Sequence, residues 1–137
     1  EGTEGTENCA WGWCVERDPL SHEVIGAALA VHRMMGPGLL ESVYQACLAH
    51  ELRKRGISFR QGVEVPLVYG GEALDARLRL DVLVDDQLVL ELKSVEKLAP
   101  IHSAQLLTYL KLTGHRTGLL INFNVLQLKD GIVRLVL

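Results

Sequence analysis

From Ser21 onward the apolar residues fall at helical spacing: Val24, Ala28, Val31 and Met35, with Ile25 and Leu29 beside them, make one buried stripe. Ser21 is the predicted N-cap, and Glu23 is a first-turn acid suited to the positive end of the helix dipole. Gly36-Pro37-Gly38 stops this helix. In a second helix Leu40, Val43, Tyr44, Cys47, Leu48 and Leu52 are predicted to point inward. Arg53, Lys54 and Arg55 oppose the negative end of its dipole, and Gly56 ends it. At Gln61 the period changes to two. Val63, Val65, Leu67 and Tyr69 alternate with polar neighbours up to a Gly70-Gly71 turn. Two further strands, 77–84 and 88–94, are predicted on either side of Asp85-Asp86. Pro100 opens a third helix that reaches Thr113 and stops at Gly114. Residues 117–123 read as a buried strand, and 132–136, after Gly131, as the last one. The order α, α, β, β, β, α, β, β predicts a mixed sheet flanked by helices, an α/β domain.

Residues 1–18 stand apart from this pattern. Glu1-Gly2-Thr3-Glu4-Gly5-Thr6 repeats a triplet, and the stretch runs on through Trp11-Gly12-Trp13 with neither period. It reads as an N-terminal arm ahead of one domain over residues 19–137. Trp11 and Trp13 are the only tryptophans in the chain, and large aromatics outside a core typically anchor contacts. The arm is therefore expected either to dock on a neighbouring copy, making a homo-oligomer, or to fold back on its own domain.

At 137 residues, with 48% hydrophobic positions and 25 leucines, the chain can bury a core without metal or disulfide staples. No apolar run approaches the roughly 18 residues of a membrane span, and the N-terminus lacks the basic-then-apolar pattern of a signal peptide. Cys47 falls in the apolar pattern of the second helix and packs as a small hydrophobe. Cys9 and Cys14 are free thiols or a local disulfide; the cysteines make neither a disulfide framework nor a zinc site. A reducing cytoplasm is the expected compartment. The net charge of −3 excludes a protein that grips nucleic acid with its whole surface, but leaves room for a local basic groove. Arg53, Lys54, Arg55 and Arg60 cluster around one helix end, while Arg77, Arg79, Lys97, Lys111, His115 and Arg116 are scattered. There is no aromatic stacking ladder and no base-reading module.

The chemistry lies between Leu80 and Lys93. Leu88, Leu90 and Leu92 take one face of their strand, and Val89, Glu91 and Lys93 the other. So apolar a strand is expected at the centre of the sheet, covered on both sides. Charged residues are almost never fully buried there unless paired or bound to something. Asp81 joins Glu91 and Lys93 only if paired residue numbers across the hairpin sum to an even value. That requires a three-residue loop, Asp85-Asp86-Gln87, with Val84 opposite Leu88 and Asp81 opposite Glu91; a two-residue turn would put the carboxylates on opposite faces. Held together, the two would repel, and at least one should have a raised pKa. Two carboxylates and an ammonium suit a hard cation plus a phosphate-directed positive charge. The bland alternative is a cross-strand ion pair at a sheet edge. On the third helix His102, Gln105 and Tyr109 share a polar-tipped face, with Ala104, Leu107 and Leu110 expected on the core side.

Gly38-Leu39-Leu40-Glu41-Ser42-Val43-Tyr44 matches the signature G-x-x-E-x-x-Y. Together with Ile25-Gly26-Ala27-Ala28, Val31-His32, Gly36-Pro37-Gly38, Glu91-Leu92-Lys93-Ser94-Val95-Glu96-Lys97-Leu98, Gln105-Leu106-Leu107-Thr108-Tyr109-Leu110 and Gly118-Leu119-Leu120-Ile121-Asn122-Phe123, it resembles the GxxExxY proteins, a branch of the PD-(D/E)xK nuclease superfamily. The resemblance covers roughly residues 20–125. It implies a restriction-endonuclease-like α-β-β-β-α-β core, here with an extra N-terminal helix and C-terminal strands. It also implies a metal-dependent phosphodiesterase acting on nucleic acid, DNA in the first place, with Mg²⁺ or Mn²⁺ as cofactor. Asp81 and Glu91 occupy the positions of the two metal-binding carboxylates, and Lys93 that of the lysine beside the attacking water. Glu41 resembles the helical carboxylate that completes the metal site, and Gln105 and Tyr109 the Q-x-x-x-Y that shapes it. Leu80 stands where the superfamily name expects proline, which is not a ligand. The rival expectation is a nuclease-fold protein with an idle site, used for binding or self-assembly through its arm.

Overall fold

The computed structural model describes residues 18–137. Of the predicted arm only Asp18 is among them; Cys9, Trp11, Trp13 and Cys14 lie outside the described residues. The elements are α1 (Pro19–Met35), α2 (Glu41–Lys54), β1 (Phe59–Tyr69), β2 (Glu72–Val84), β3 (Leu88–Lys93), α3 (Pro100–Thr113), β4 (Thr117–Asn122), a 3₁₀ turn Leu128–Gly131, and β5 (Ile132–Val136). The element order read from periodicity is the one observed, apart from the short 3₁₀ turn. The five strands form one sheet in the order β1-β2-β3-β4-β5. All neighbours are antiparallel except β3 and β4. Those two run parallel because α3 carries the chain back across the sheet between them. The α-β-β-β-α-β core is thus α2 to β4, with α1 added before it and a single strand, β5, after it.

Strand β3 divides the interior. Leu88, Leu90 and Leu92 pack with Val24, Ala28, Tyr44 and Leu48 of α1 and α2. Val89 packs on the opposite face with Leu106 and Leu110 of α3 and Leu120 of β4. Burial on both faces is what its uninterrupted apolar run requires.

Four local expectations are corrected. Helix α1 is capped by Asp18, not by Ser21: Asp18 accepts the Ser21 N–H at 3.2 Å, and Pro19 takes the first helical position, where a missing N–H costs nothing. The same carboxylate pairs with Arg134 of β5 at 3.0 Å and accepts the buried Ser21 hydroxyl. We expect Asp18→Ala to destabilise the fold by about 1–2 kcal/mol, because cap and ion pair go together; urea denaturation measures it. Met35 and Leu40, predicted inward, are exposed, since both flank the Gly36-Pro37-Gly38 connection beyond the packed turns. On α3 the buried residues are Leu106 and Leu110, while Ala104 is exposed and Leu107 half-buried. Ile101, Leu106, Leu107, Leu110 and Leu112 run all round this helix, so its apolar stripe is ambiguous in sequence. Finally, β2 starts at Glu72 rather than residue 77, because the distal halves of β1 and β2 pair only with each other and leave both faces largely exposed. No buried face imprints alternation there. No helix among the described residues is long and apolar enough to cross a membrane.

Candidate active site

Residues Val84 and Leu88, Leu83 and Val89, and Val82 and Leu90 are partners across the β2–β3 hairpin. The loop is therefore Asp85-Asp86-Gln87, the three-residue loop that the even-sum register demands. Asp85 and Asp86 both hold positive φ, 52° and 54°, a conformation aspartate tolerates better than most residues. Gln87 N–H closes the turn on the Val84 carbonyl at 2.9 Å. The ladder ends at Val82 and Leu90, and the same register carried one pair further sets Asp81 opposite Glu91.

At that point the strands part, and side chains take over from the backbone ladder. Asp81 Oδ2 accepts the Leu92 N–H at 2.9 Å, and Gln45 of α2 donates to the Asp81 main-chain carbonyl at 3.2 Å. Asp81 is thus held by β3 through its carboxylate and by α2 through its backbone. The sheet also kinks here. Val82 and Val84 pack against α1 and α2, whereas Leu80, two residues earlier, packs against α3. On β1, Gly62 stands between the pairs Gln61–Val82 and Val63–Leu80, with φ at 58°. A positive-φ glycine inside a strand marks a bulge-like bend, and bends of this kind re-aim neighbouring side chains.

Glu91 is 7% exposed, and its Oε1 is buried without a hydrogen-bond partner. Burial pushes its carboxyl up to about 7; the Asp81 charge adds to this, Lys93 opposes it, and Glu41 adds a smaller push. Asp81 is also raised, by burial first, offset by the Leu92 N–H bond; Glu41 repels it, and Lys93 and Arg79 draw it back. The raised carboxyl expected for a close acidic pair is present, with burial as its main cause. Tyr109 is raised by burial and by the charges of Glu91 and Asp81, with the Gln105 hydrogen bond opposing. Gln105 Nε2 donates to the Tyr109 hydroxyl at 3.4 Å. Asp81, Glu91, Lys93, Glu41 and the Gln105–Tyr109 pair therefore converge on the kink, from β2, β3, α2 and α3.

Helix α2 delivers Glu41 at its first turn, exposed to solvent. The loop before it is stapled by Tyr44, which is fully buried and stacks on Phe123 with ring centroids 4.4 Å apart. Its hydroxyl donates to the Gly36 carbonyl and accepts the Leu39 N–H at 3.1 Å. Ser94, just past Lys93, donates to the Leu39 carbonyl at 2.6 Å and ties the same loop to β3. The tyrosine of the G-x-x-E-x-x-Y motif is thus a structural residue that positions the glutamate. Lys93 closes β3 opposite Asn122. The buried Asn122 amide clamps Val95, accepting its N–H and donating to its carbonyl, both at 3.0 Å. His102 does not join the site: its Nδ1 accepts the Ala99 N–H at 2.9 Å and caps α3.

Sequence reasoning missed Gln45, Ser94 and Asn122. For Gln45 a signal existed, since it lies four residues after Glu41 on the same helix face. Among the described residues no three His, Cys, Asp or Glu side chains close on one point as a ready-made metal cage. The acidic set is an open pair, Asp81 and Glu91, with Glu41 to one side. No curated protein and no solved structure matches the chain. The sequence profile of the PD-(D/E)XK nuclease superfamily matches residues 18–135, from the cap of α1 into β5. A match across the whole framework that carries Glu41, Asp81, Glu91 and Lys93 makes the chain a member of the PD-(D/E)XK nuclease superfamily.

Proposed function

We propose that the chain is a metal-dependent phosphodiesterase that hydrolyses nucleic acid, with DNA as its first substrate. The observation that carries this reading is Glu91 Oε1, buried with no hydrogen-bond donor and within reach of the Asp81 charge. An anionic oxygen withdrawn from water without a partner is costly to keep. A divalent cation is the partner that answers both this orphaned oxygen and the repulsion between the carboxylates.

Asp81 and Glu91 would hold Mg²⁺ or Mn²⁺, with Glu41 close enough for its charge to reach both. An open site with few carboxylates suits Mg²⁺, which keeps waters and takes phosphate oxygens. Such an ion, when bound, supplies a water acidic enough to attack at neutral pH and offsets charge on the scissile phosphate. Lys93, a compact cation beside both carboxylates, orients the attacking water or balances the charge that builds on the phosphate. Tyr109 keeps its phenolic proton and is steadied by Gln105, so its hydroxyl is a donor on the α3 side of the site.

The test is cleavage of labelled single- and double-stranded DNA and of RNA in Mg²⁺ or Mn²⁺, with Lys93→Ala as control. Wild type should cut only with divalent cation, and Lys93→Ala should lose about a hundredfold in kcat, the scale for one group facing developing charge. No cleavage of any of these substrates by wild type in either ion would overturn the reading.

A further inference from the structure

Beyond the kink at Gly62 and Asp81, β1 and β2 continue as a two-stranded arm that leaves the sheet. Arg79 sits at its root, two residues from Asp81 and exposed. Its guanidinium lies against Gly62. A methyl group on that glycine would fall 2.5 Å from Nη2, 2.9 Å from Cζ and 3.3 Å from Nη1. Gly62 therefore does two things: it bends β1, and by lacking a side chain it makes a seat for Arg79.

Other cations near this edge are already engaged. Arg60 pairs with Asp86 at 2.6 Å, Arg55 with Glu51 at 3.1 Å, and Arg53 lies over the Phe59 ring at 5.3 Å. Glu64 stands directly across from Arg79 in the strand register, yet it faces Arg77 at 4.0 Å instead. Arg79 makes no ion pair or hydrogen bond with any described residue. An arginine seated on backbone and open to solvent, feeling the Asp81 charge but in no ion pair with it, lies next to a site whose own carboxylates repel a nucleic-acid backbone. A guanidinium offers a planar donor fork that matches phosphate oxygens, and a lysine does not.

The geometry points to Arg79 as a phosphate-binding residue that holds the substrate strand beside the Asp81–Glu91 site, with Gly62 as its seat. This rests on the phosphodiesterase reading and adds a substrate-positioning contact to it. The contact attracts the backbone whatever the base sequence, so it gives register rather than sequence preference.

Binding of a fluorescent DNA duplex, followed by anisotropy in EDTA across 50–200 mM NaCl, tests it without cleavage. Each phosphate contact contributes about 0.9 to the slope of log affinity against log salt. Arg79→Ala should lower that slope by about 0.9 and weaken binding about eightfold at 0.1 M salt. Arg79→Lys should keep the slope, because the charge remains, and bind more weakly than wild type. Gly62→Ala should weaken binding and keep the slope, because it pushes the guanidinium off its seat while the charge remains. In cleavage assays Arg79→Ala should raise KM and spare kcat, with an unchanged melting temperature. A wild type that binds and cuts, with the same salt slope in Arg79→Ala, would overturn the role of Arg79 and leave the enzyme reading intact. A lower melting temperature in Arg79→Ala with an unchanged slope would do the same, by making Arg79 a prop for the hairpin. A wild type that binds duplex through an Arg79-dependent slope but never cuts would support the contact and sink the enzyme. One that neither binds nor cuts would overturn both.

Discussion

Glu91→Gln is expected to make the metal-free protein more stable at pH 8, by on the order of 2 kcal/mol, while removing at least about a thousandfold of its cleavage rate. The sign follows from proton counting. The Glu91 carboxyl is raised from 4.5 to about 7 in the folded chain. Between those values the folded protein keeps a proton that the unfolded chain has released, so this group's contribution to stability falls as pH rises. Below about 4.5 both states are protonated and the group is neutral in effect; above about 7 the folded state carries the full burden of a buried, repelled carboxylate. The glutamine side chain is neutral throughout and escapes it. Each pH unit corresponds to about 1.4 kcal/mol, and coupling to Asp81 with residual solvation brings the sum down to about 2. Urea denaturation between pH 4 and 8 should show the two chains converging at low pH and separating through neutrality. Mg²⁺ should raise the melting temperature of wild type and leave Glu91→Gln where it was, since a ligand stabilises only the state that binds it. Parallel stability curves, or equal shifts with Mg²⁺, would remove Glu91 from the site. The combination is diagnostic: a residue kept for packing would not lower stability and sustain catalysis at once.

Where a segment has one buried face, the chain spells out its structure. The strand from Leu88 is apolar at every position except Glu91 and Lys93, an exception visible in the sequence alone. The hairpin register was legible too, because a one-residue slip would send Asp81 to the wrong side of the sheet. Legibility fails where burial is absent or even. The distal β1–β2 arm has exposed Val68 and Tyr69, so alternation there carries no information about an inner face. Helix α3 is apolar all round, so its buried stripe was only partly legible: Leu110 is buried as expected, Leu106 replaces Ala104 in the core, and Leu107 is half-buried. The supports of the site are polar and long-range. Gln45 reaches Asp81 across 36 residues and Asn122 reaches Val95 across 27, contacts that no local pattern encodes. Tyr44 was legible as an inward residue of its helix, and it is fully buried, but the staple its hydroxyl makes with the loop was not.

That staple supports the last prediction. Tyr44→Ala should destabilise the fold by about 3–5 kcal/mol, because it empties a fully buried aromatic site and unstacks Phe123. Tyr44→Phe keeps ring and stacking but leaves the Leu39 N–H and the Gly36 carbonyl without their shared hydroxyl, at about 1–3 kcal/mol. The two substitutions separate packing from positioning. Both hydrogen bonds fix the loop that sets the start of α2, and Glu41 is the first residue of that helix. Assayed well below its melting temperature, Tyr44→Phe should therefore be folded yet weaker for Mg²⁺, and Glu41→Gln should show the same weakening. If the staple acts only through the glutamate, the double substitution will bind Mg²⁺ no more weakly than Glu41→Gln alone, since a loop with nothing to position has nothing left to lose. Additive losses would mean that Tyr44 supports the site by some route other than Glu41, and wild-type Mg²⁺ affinity in Tyr44→Phe would remove the staple from the metal site altogether.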